Sequence, residues 1–318
     1  MIDVLSDVLS VARLKGTVYF SAELRSPWGI ALPRRPRAPF YVVTRGRCEI
    51  ALDVPGSPPA SLGSGDLAIL PGGTAHTVAS SRGAKTMPLD QFVARYPMDE
   101  RGRLSVLDRR GPATTLLGGF FELERAPEPL VDVLPPLIHL RGSHRDVATW
   151  LAPILKSIAQ EAAQALPGRA VVLNRLADVL FVKAVRAWLL TTTATNGAGP
   201  PNWLRGLADP RIARALGEIH RTPEQALTLG RLASLAAMSR TAFAQRFRAL
   251  VGTTPVTYLT SWRMQKAAYL LEMGTLSIAQ IAERVGYSSE LGFAKAFRRR
   301  LGTPPGAYAR RASRSRTG

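Results

Sequence analysis

The hydrophobic period changes twice along this chain. An opening segment places Ile2, Leu5 and Leu9 on one helical face. From about residue 17 to 123 the pattern becomes short β-type runs, at 41–44, 48–52, 66–70, 76–78 and 113–117, separated by Gly- and Pro-rich stretches such as 55–59 and 71–74. Short strands at this spacing predict a β-sandwich or barrel. Residues 44–47, Thr-Arg-Gly-Arg, predict a hairpin turn, whereas the charged stretch 82–111 shows no period that assigns it. From 144 to 190 the pattern turns helical: Leu173, Leu176, Leu180, Ala184 and Trp188 fall near one stripe, opposite Arg175, Asp178 and Arg186. Such a broad apolar face serves a helix packed on its own β-domain, a dimer interface, or both. Residues 191–201, rich in Thr, Gly and Pro, have no period and predict a flexible linker.

The last third repeats itself. Phe243, Phe247, Arg248, Gly252, Thr253, Pro255 and Tyr258 recur fifty positions later as Phe293, Phe297, Arg298, Gly302, Thr303, Pro305 and Tyr308. In the first copy the spacing predicts a helix over 229–236, a turn at 237–239, and a helix from its N-cap Ser239 to Val251. In the second copy, Ser277 caps a helix over 278–285, Gly286 makes the turn, and Ser288 or Ser289 starts a helix through Phe293 and Phe297 to Arg300. This is helix-turn-helix spacing. A single helix over 256–273 joins the copies, with Tyr258, Trp262, Ala267, Leu270 and Leu271 as its packing residues. Major-groove segments on one face of B-DNA repeat every ~34 Å, so a rigid spacer allows one monomer to insert two helices in succession. The Phe pairs are read as core rather than as base-stacking platforms.

Charge supports this assignment. Of a net +19 over 318 residues, positions 210–318 carry 18 Lys/Arg against 5 Asp/Glu, net +13, and positions 1–209 carry 24 against 18, net +6. The basic third is the part that faces a polyanion. One cysteine, Cys48, excludes an internal disulfide framework and a structural zinc cluster, and fits a reducing cytoplasm. The acidic N-terminus resembles neither a secretory signal nor a membrane anchor, and the apolar run 179–190 is short and broken by Lys183 and Arg186.

The motifs Leu229-x2-Leu-Ala, Met238-Ser-Arg, Arg246-Phe-x4-Gly-x2-Pro-x2-Tyr258, Arg263-x3-Ala267, Ser277-Ile-x2-Ile-Ala-x3-Gly286-Tyr-x-Ser and Phe293-x3-Phe-x4-Gly-x2-Pro-x2-Tyr308 resemble the AraC/XylS family of bacterial transcription regulators over about 100 residues. Leu227 departs from the tryptophan that many members carry there, a matter of packing rather than reading. The resemblance implies double-stranded DNA and RNA polymerase as partners. It also implies base-facing positions at Thr241, Ala244 and Gln245 in the first unit and Glu290, Leu291 and Lys295 in the second. Their chemistry is compatible: Gln245 suits adenine, Lys295 guanine, Glu290 cytosine, and Thr241 or Leu291 a thymine methyl, while Ala244 offers apolar contact alone. Arg240, Arg246, Arg248, Arg298, Arg299 and Arg300 are read as phosphate anchors, which position without specifying.

In the N-terminal part, Gly65-x5-Pro71-x-Gly73-x2-His76 resembles the second motif of cupin barrels, with residues 40–46 where the first belongs. Together with Gly118-Gly-Phe-Phe and residues 134–140, this resembles the cupin-type sensor of one branch of AraC regulators. A cupin enzyme needs two His and a Glu from the first motif beside the His of the second. Here His76 stands without them, Tyr41 replaces a histidine common in related sensors, and His139, His144 and His220 show no metal spacing, although the fold could bring His139 near His76. No metal, cofactor or catalytic residue is assigned. Cys48, with no second thiol, leaves sulfenic acid, an adduct or an intersubunit bridge as redox options, against a buried filler. Tyr41, Val43, Cys48, Ile50 and His76 are the pocket candidates.

The expected architecture is a multi-domain α+β chain: a cupin-like β-barrel sensor over 1–143, a helical connector with dimerisation potential over 144–192, a linker over 193–204, an all-α double helix-turn-helix domain over 205–311, and a basic tail over 312–318. The expected function is a cytoplasmic, sequence-specific transcription regulator answering an unidentified small-molecule or stress signal, as a homodimer and not as an enzyme. Two rivals stay open: a metal-dependent cupin enzyme fused to a DNA-binding module, and a ligand-independent regulator whose barrel only dimerises.

Overall fold

The computed structural model describes residues 4–12, 14–100, 102–108, 110–123, 134–164, 166–194 and 201–314. The chain forms two compact units, one of residues 13–192 and one of residues 1–12 with 193–318.

The first unit is the barrel. Its strands are β1 (Leu14–Arg25), β2 (Gly29–Leu32), β3 (Ala38–Arg45), β4 (Arg47–Leu52), β5 (Ala60–Gly63), β6 (Leu67–Ile69), β7 (His76–Ala79), β8 (Met87–Pro88), β9 (Arg103–Val106), β10 (Ala113–Leu123) and β11 (Ile138–Leu140). One sheet runs β11-β6-β3-β10-β1-β9 and the other β5-β4-β7-β2-β8. All five predicted runs are strands. Between the sheets lies an apolar core that includes Leu24, Val43, Cys48, Ile50, Leu62, Val78 and Leu116. The turn at 44–47 does not close a hairpin: β3 pairs with β10 and β6, whereas β4 pairs with β5 and β7, so the turn carries the chain from one sheet to the other. The stretch without a readable period holds β8, the short helix α2 (Leu89–Arg95) and β9, which pairs parallel to β1. β8 and β9 span only two and four residues, and no side chain caps α2 at its start, so none of the three announces itself locally.

Helices α3 (Arg145–Ala163) and α4 (Arg169–Ala194) belong largely to this unit. Leu173, Leu180 and Ala184 of the expected stripe are fully or nearly fully buried, while Leu176 and Trp188 are half-buried. The Phe181 ring sits 4.8 Å from Phe121, which stacks on Phe40 at 4.8 Å. Asp178, expected on the polar face, turns toward the sheet and accepts the Gly16 N–H at 2.6 Å. Part of this face is therefore internal packing. Val171, Val172 and Val179 remain exposed on α4. The helix also runs through Ala194, so residues 191–194 are not linker; extending an established helix is far easier than nucleating one. Residues 195–200 of the expected linker lie outside the described residues.

The second unit is all-helical: α5 (Trp203–Ala208), α6 (Pro210–Arg221), α7 (Leu229–Leu235), α8 (Arg240–Val251), α9 (Pro255–Met273), α10 (Ile278–Arg284), α11 (Glu290–Leu301) and α12 (Pro305–Arg314). Trp203 and Leu204 are core residues at the start of α5, which Asn202 caps by accepting the Arg205 N–H at 3.0 Å. The expected linker thus ends before residue 202. The opening helix α1 (Val4–Ala12) packs on α6 and α9 of this unit rather than on the barrel. Leu5 is buried as expected, together with Val4 and Val8. Ile2 and the Leu9 side chain lie outside the described residues.

Candidate nucleic-acid interface and barrel cavity

Each half of the helical unit is built by its caps and its aromatic residues. Thr228 and Ser239 cap α7 and α8, and Ser277 and Ser289 cap α10 and α11, each side chain accepting a backbone N–H at the third position. Such a cap is worth about 1 kcal/mol. The duplicated residues make duplicated contacts. Phe243 and Phe247 stand 5.6 Å apart and Phe293 and Phe297 5.5 Å apart, while Phe247 meets Tyr258 at 5.9 Å and Phe297 meets Tyr308 at 5.3 Å. All four Phe rings are completely buried, as core residues should be.

The two turns differ. Four residues separate α7 from α8 and five separate α10 from α11, so equivalent positions are fifty apart after the turn but 49 apart before it. Both turns need one left-handed residue: Gly286 at φ +80°, where a side chain would also collide with the Arg263 guanidinium and the Glu224 carbonyl, and Ala237 at φ +52°. Ala237 is exposed and its methyl group costs left-handed strain without compensating burial. Ala237→Gly is expected to raise the stability of the helical unit by about 1 kcal/mol, net of the added freedom of the unfolded chain. Chemical denaturation checks this, and a lowered midpoint would contradict it.

On the outer faces of α8 and α11, Thr241, Gln245, Glu290, Leu291 and Lys295 are exposed and Ala244 is half-buried. Leu291 is 68% exposed, an unusual position for a large apolar side chain unless something covers it in use. Of the six arginines read as phosphate anchors, all are exposed, but they are not equivalent. Arg240 lies against Gly230. Arg246 reaches back to Asp209, with Nε at 2.8 Å and Nη2 at 2.7 Å from one carboxylate oxygen. Asp209 also caps α6 through the Arg211 and Ile212 N–H groups. Burial opposes its ionisation, yet Arg246 and the two N–H groups hold its carboxyl below the usual range. Arg246 therefore ties α8 to α6, a role that no local spacing announces.

Arg263 of α9 is a further residue whose role the sequence reading missed. It donates from Nε to the Pro223 carbonyl at 2.6 Å and from Nη2 to the Gln225 carbonyl at 2.8 Å, on the first module's side. Its guanidinium also stands 5.9 Å from the Tyr287 ring centre, in the turn of the second module. One side chain thus spans both helix-turn-helix modules across their shared helix. The signal that could have found it is a guanidinium beside Trp262, Ala267 and Leu271 on an otherwise packed helix.

In the barrel, Tyr41 and His76 line a cavity of about 310 Å3, while Val43, Cys48 and Ile50 are sealed in the core beside it without lining it. Burial pushes the Cys48 thiol up to about 12, reinforced by Asp66 and Glu49, so it stays protonated. His76 Nδ1 lies 2.7 Å from the Thr74 carbonyl, which can only accept. Nδ1 therefore carries the proton, and Nε2 accepts the Tyr41 hydroxyl at 2.7 Å. Burial lowers the His76 pKa against the opposing effect of that carbonyl. His139 is committed elsewhere, to Asp66 at 3.0 Å. Among the described residues, no group of three His, Cys, Asp or Glu is gathered as a metal site.

Residues 3–190 match the family model described as Cupin, and residues 232–311 match one described as Helix-turn-helix domain. The chain is 34% identical, over 96% of its own length and 97% of the relative's, to a putative AraC-like transcription regulator of Streptomyces lividans. It is 32% identical, over 78% of its length and 87% of the relative's, to the RCS-specific HTH-type transcriptional activator RclR of Escherichia coli. Among solved structures, the DNA-binding domain of AdpA in complex with a target DNA is 36% identical, covering 34% of this chain and 96% of that one at a TM-score of 0.32.

Proposed function

The chain belongs to the AraC-like transcription regulators and carries a cupin domain, and on that footing we propose how its parts divide the work. It is a DNA-binding transcription regulator. The single observation that carries the assignment of its contact surface is the paired, exposed outer faces of α8 and α11, each held by an identical buried Phe pair. In our reading Thr241, Ala244 and Gln245 read one major-groove segment and Glu290, Leu291 and Lys295 the next. Arg240, Arg248, Arg298, Arg299 and Arg300 anchor phosphates. Arg246 divides its charge between Asp209 and DNA. RNA polymerase is the proposed second partner, and the cytoplasm the proposed compartment; among the described residues no helix is long and apolar enough to cross a membrane.

Gln245→Ala is expected to relax base preference at one position and cost about 1–3 kcal/mol against the best operator. Arg248→Ala should weaken every sequence alike, since a phosphate contact carries no sequence information. Selection from a random duplex pool checks both. An unchanged motif for Gln245→Ala would remove that residue from the reading set.

The barrel, over residues 13–192, is the proposed effector-sensing unit, and its cavity supports that reading over a barrel that only dimerises. Dimerisation through the exposed valines of α4 is compatible with it and is checked by ultracentrifugation of the full chain. Against the rival of a metal-dependent enzyme stands the closed hydrogen-bond chain Thr74–His76–Tyr41, which occupies both imidazole nitrogens.

A further inference from the structure

The cavity's walls say what should fill it. Leu24, Leu104 and Leu116 come from one sheet, Ile30 and Val78 from the other, and Phe92 from α2. At about 310 Å3 its size is near the lower end of the range of small-molecule sites, about 300–1,000 Å3. Inside, the Tyr41 hydroxyl and His76 satisfy one another and Thr74, so this pair holds no proton free for a ligand, and His76 is neutral. An anion has no partner there. The cations are at the rim. Arg35 and Arg37 lie on the loop between β2 and β3, and that loop is pinned in place: the Arg35 N–H donates to the Gly73 carbonyl at 3.0 Å, and a side chain on Gly73, at φ +59°, would strike the carbonyls of Arg35 and Arg37. Arg37 is already committed, with Nε 2.7 Å from Glu122 and its guanidinium 4.5 Å from the Phe120 ring centre. Arg35 forms no ion pair among the described residues. The rim thus keeps one uncommitted positive charge above an apolar chamber.

We propose that the effector is a small amphiphilic acid, a hydrocarbon body bearing one terminal carboxylate, with the body buried against Leu24, Phe92 and Leu116 and the carboxylate at Arg35. This rests on the reading of the barrel as the sensing unit and adds the chemical class of what it senses. The body supplies affinity through apolar burial; the carboxylate sets orientation and separates the acid from neutral hydrocarbons of equal size.

The test uses the full-length protein and a series of straight-chain alkanoates from hexanoate to dodecanoate, with the matching primary alcohols, below micelle-forming concentrations. Calorimetry should show affinity rising about fourfold per added methylene until the cavity is full, then levelling. Each alkanoate should bind about three- to tenfold more tightly than its alcohol, as a partly exposed charge-assisted contact allows. Arg35→Gln, at an exposed position that leaves the fold intact, should erase that preference while leaving alcohol binding unchanged. Val78→Phe, which fills the chamber, should shorten the longest chain accepted. Affinity that ignores chain length, alcohols that equal alkanoates in the wild type, or a preference that survives Arg35→Gln would each overturn the proposal. Operator binding measured in parallel keeps the two readings apart. Alkanoates that bind as described but leave operator affinity unchanged would overturn the sensing role while the ligand class stands. A compound of another class that shifts operator affinity, with alkanoates inert, would do the reverse.

Discussion

Raising salt from about 50 to about 200 mM is expected to weaken operator binding by the full chain by about 10³–10⁵-fold, if six or more phosphates are neutralised. The physical origin is release of counterions condensed on the duplex, one for each phosphate that a cation covers. The structure supplies exposed cations on the helices that carry the proposed reading residues: Arg240 and Arg248 flank Thr241 and Gln245, and Arg298, Arg299 and Arg300 close the helix that begins with Glu290 and Leu291. Arg246 is expected to contribute less than the others, because a carboxylate already neutralises it at 2.7 Å. The measurement is fluorescence anisotropy of a labelled operator at several salt concentrations, plotted logarithmically. A slope near zero would show that these arginines do not meet the DNA backbone. Arg248→Ala should reduce the slope by about one, and Arg246→Ala by less.

The second large effect is in the core. Phe297→Ala is expected to destabilise the second module by about 3–5 kcal/mol, and Phe247→Ala to do the same to the first. Against a typical domain stability of about 5–15 kcal/mol, either loss is severe. Phe297 packs with Phe293 and Tyr308 in a cluster that also holds Met264, Leu271 and Ile281. Phe247 packs instead with Phe243 and the Tyr258 ring, whose hydroxyl meets His220 Nε2 at 2.9 Å. Each truncation should therefore erase protection over one operator segment before the other. Footprinting of the two variants beside their thermal melts provides the check. If Phe297→Ala left both segments equally protected, or abolished both at once at low temperature, the modules would not be separately supported.

Much of this was legible without coordinates because it is local. A helix shows its period, its N-cap and its terminal glycine within a dozen residues, and so α8, α9, α10 and α11 lie within one or two residues of where Ser239, Gly252, Ser277 and Gly302 place them. The repeat was visible because both copies must fill the same small core with the same rings. Five strands of the barrel were visible as β-type runs bounded by Gly and Pro, but β1, the longest at Leu14–Arg25, was not among them. Strand pairing was not visible either, and the turn at 44–47 shows why: a turn's sequence reports the bend, not which sheet the next strand joins.

What the sequence by itself determined is the family, the two helix-turn-helix modules, the basic helix faces proposed to meet DNA, and a β-rich cupin domain ahead of them. Only the tertiary structure decided that α1 joins the helical unit, that Asp209 holds Arg246, that Arg263 spans both modules, that His76 faces Tyr41 while His139 faces Asp66, and that Arg35, without an ion pair among the described residues, lines an apolar chamber. The physical reason is distance along the chain. Periodicity and capping are satisfied by neighbours within one or two turns of backbone. A buried charge or hydrogen-bond donor must instead be satisfied by whichever group the fold brings to it, here 35 residues away for Tyr41 and His76 and 73 for Asp66 and His139.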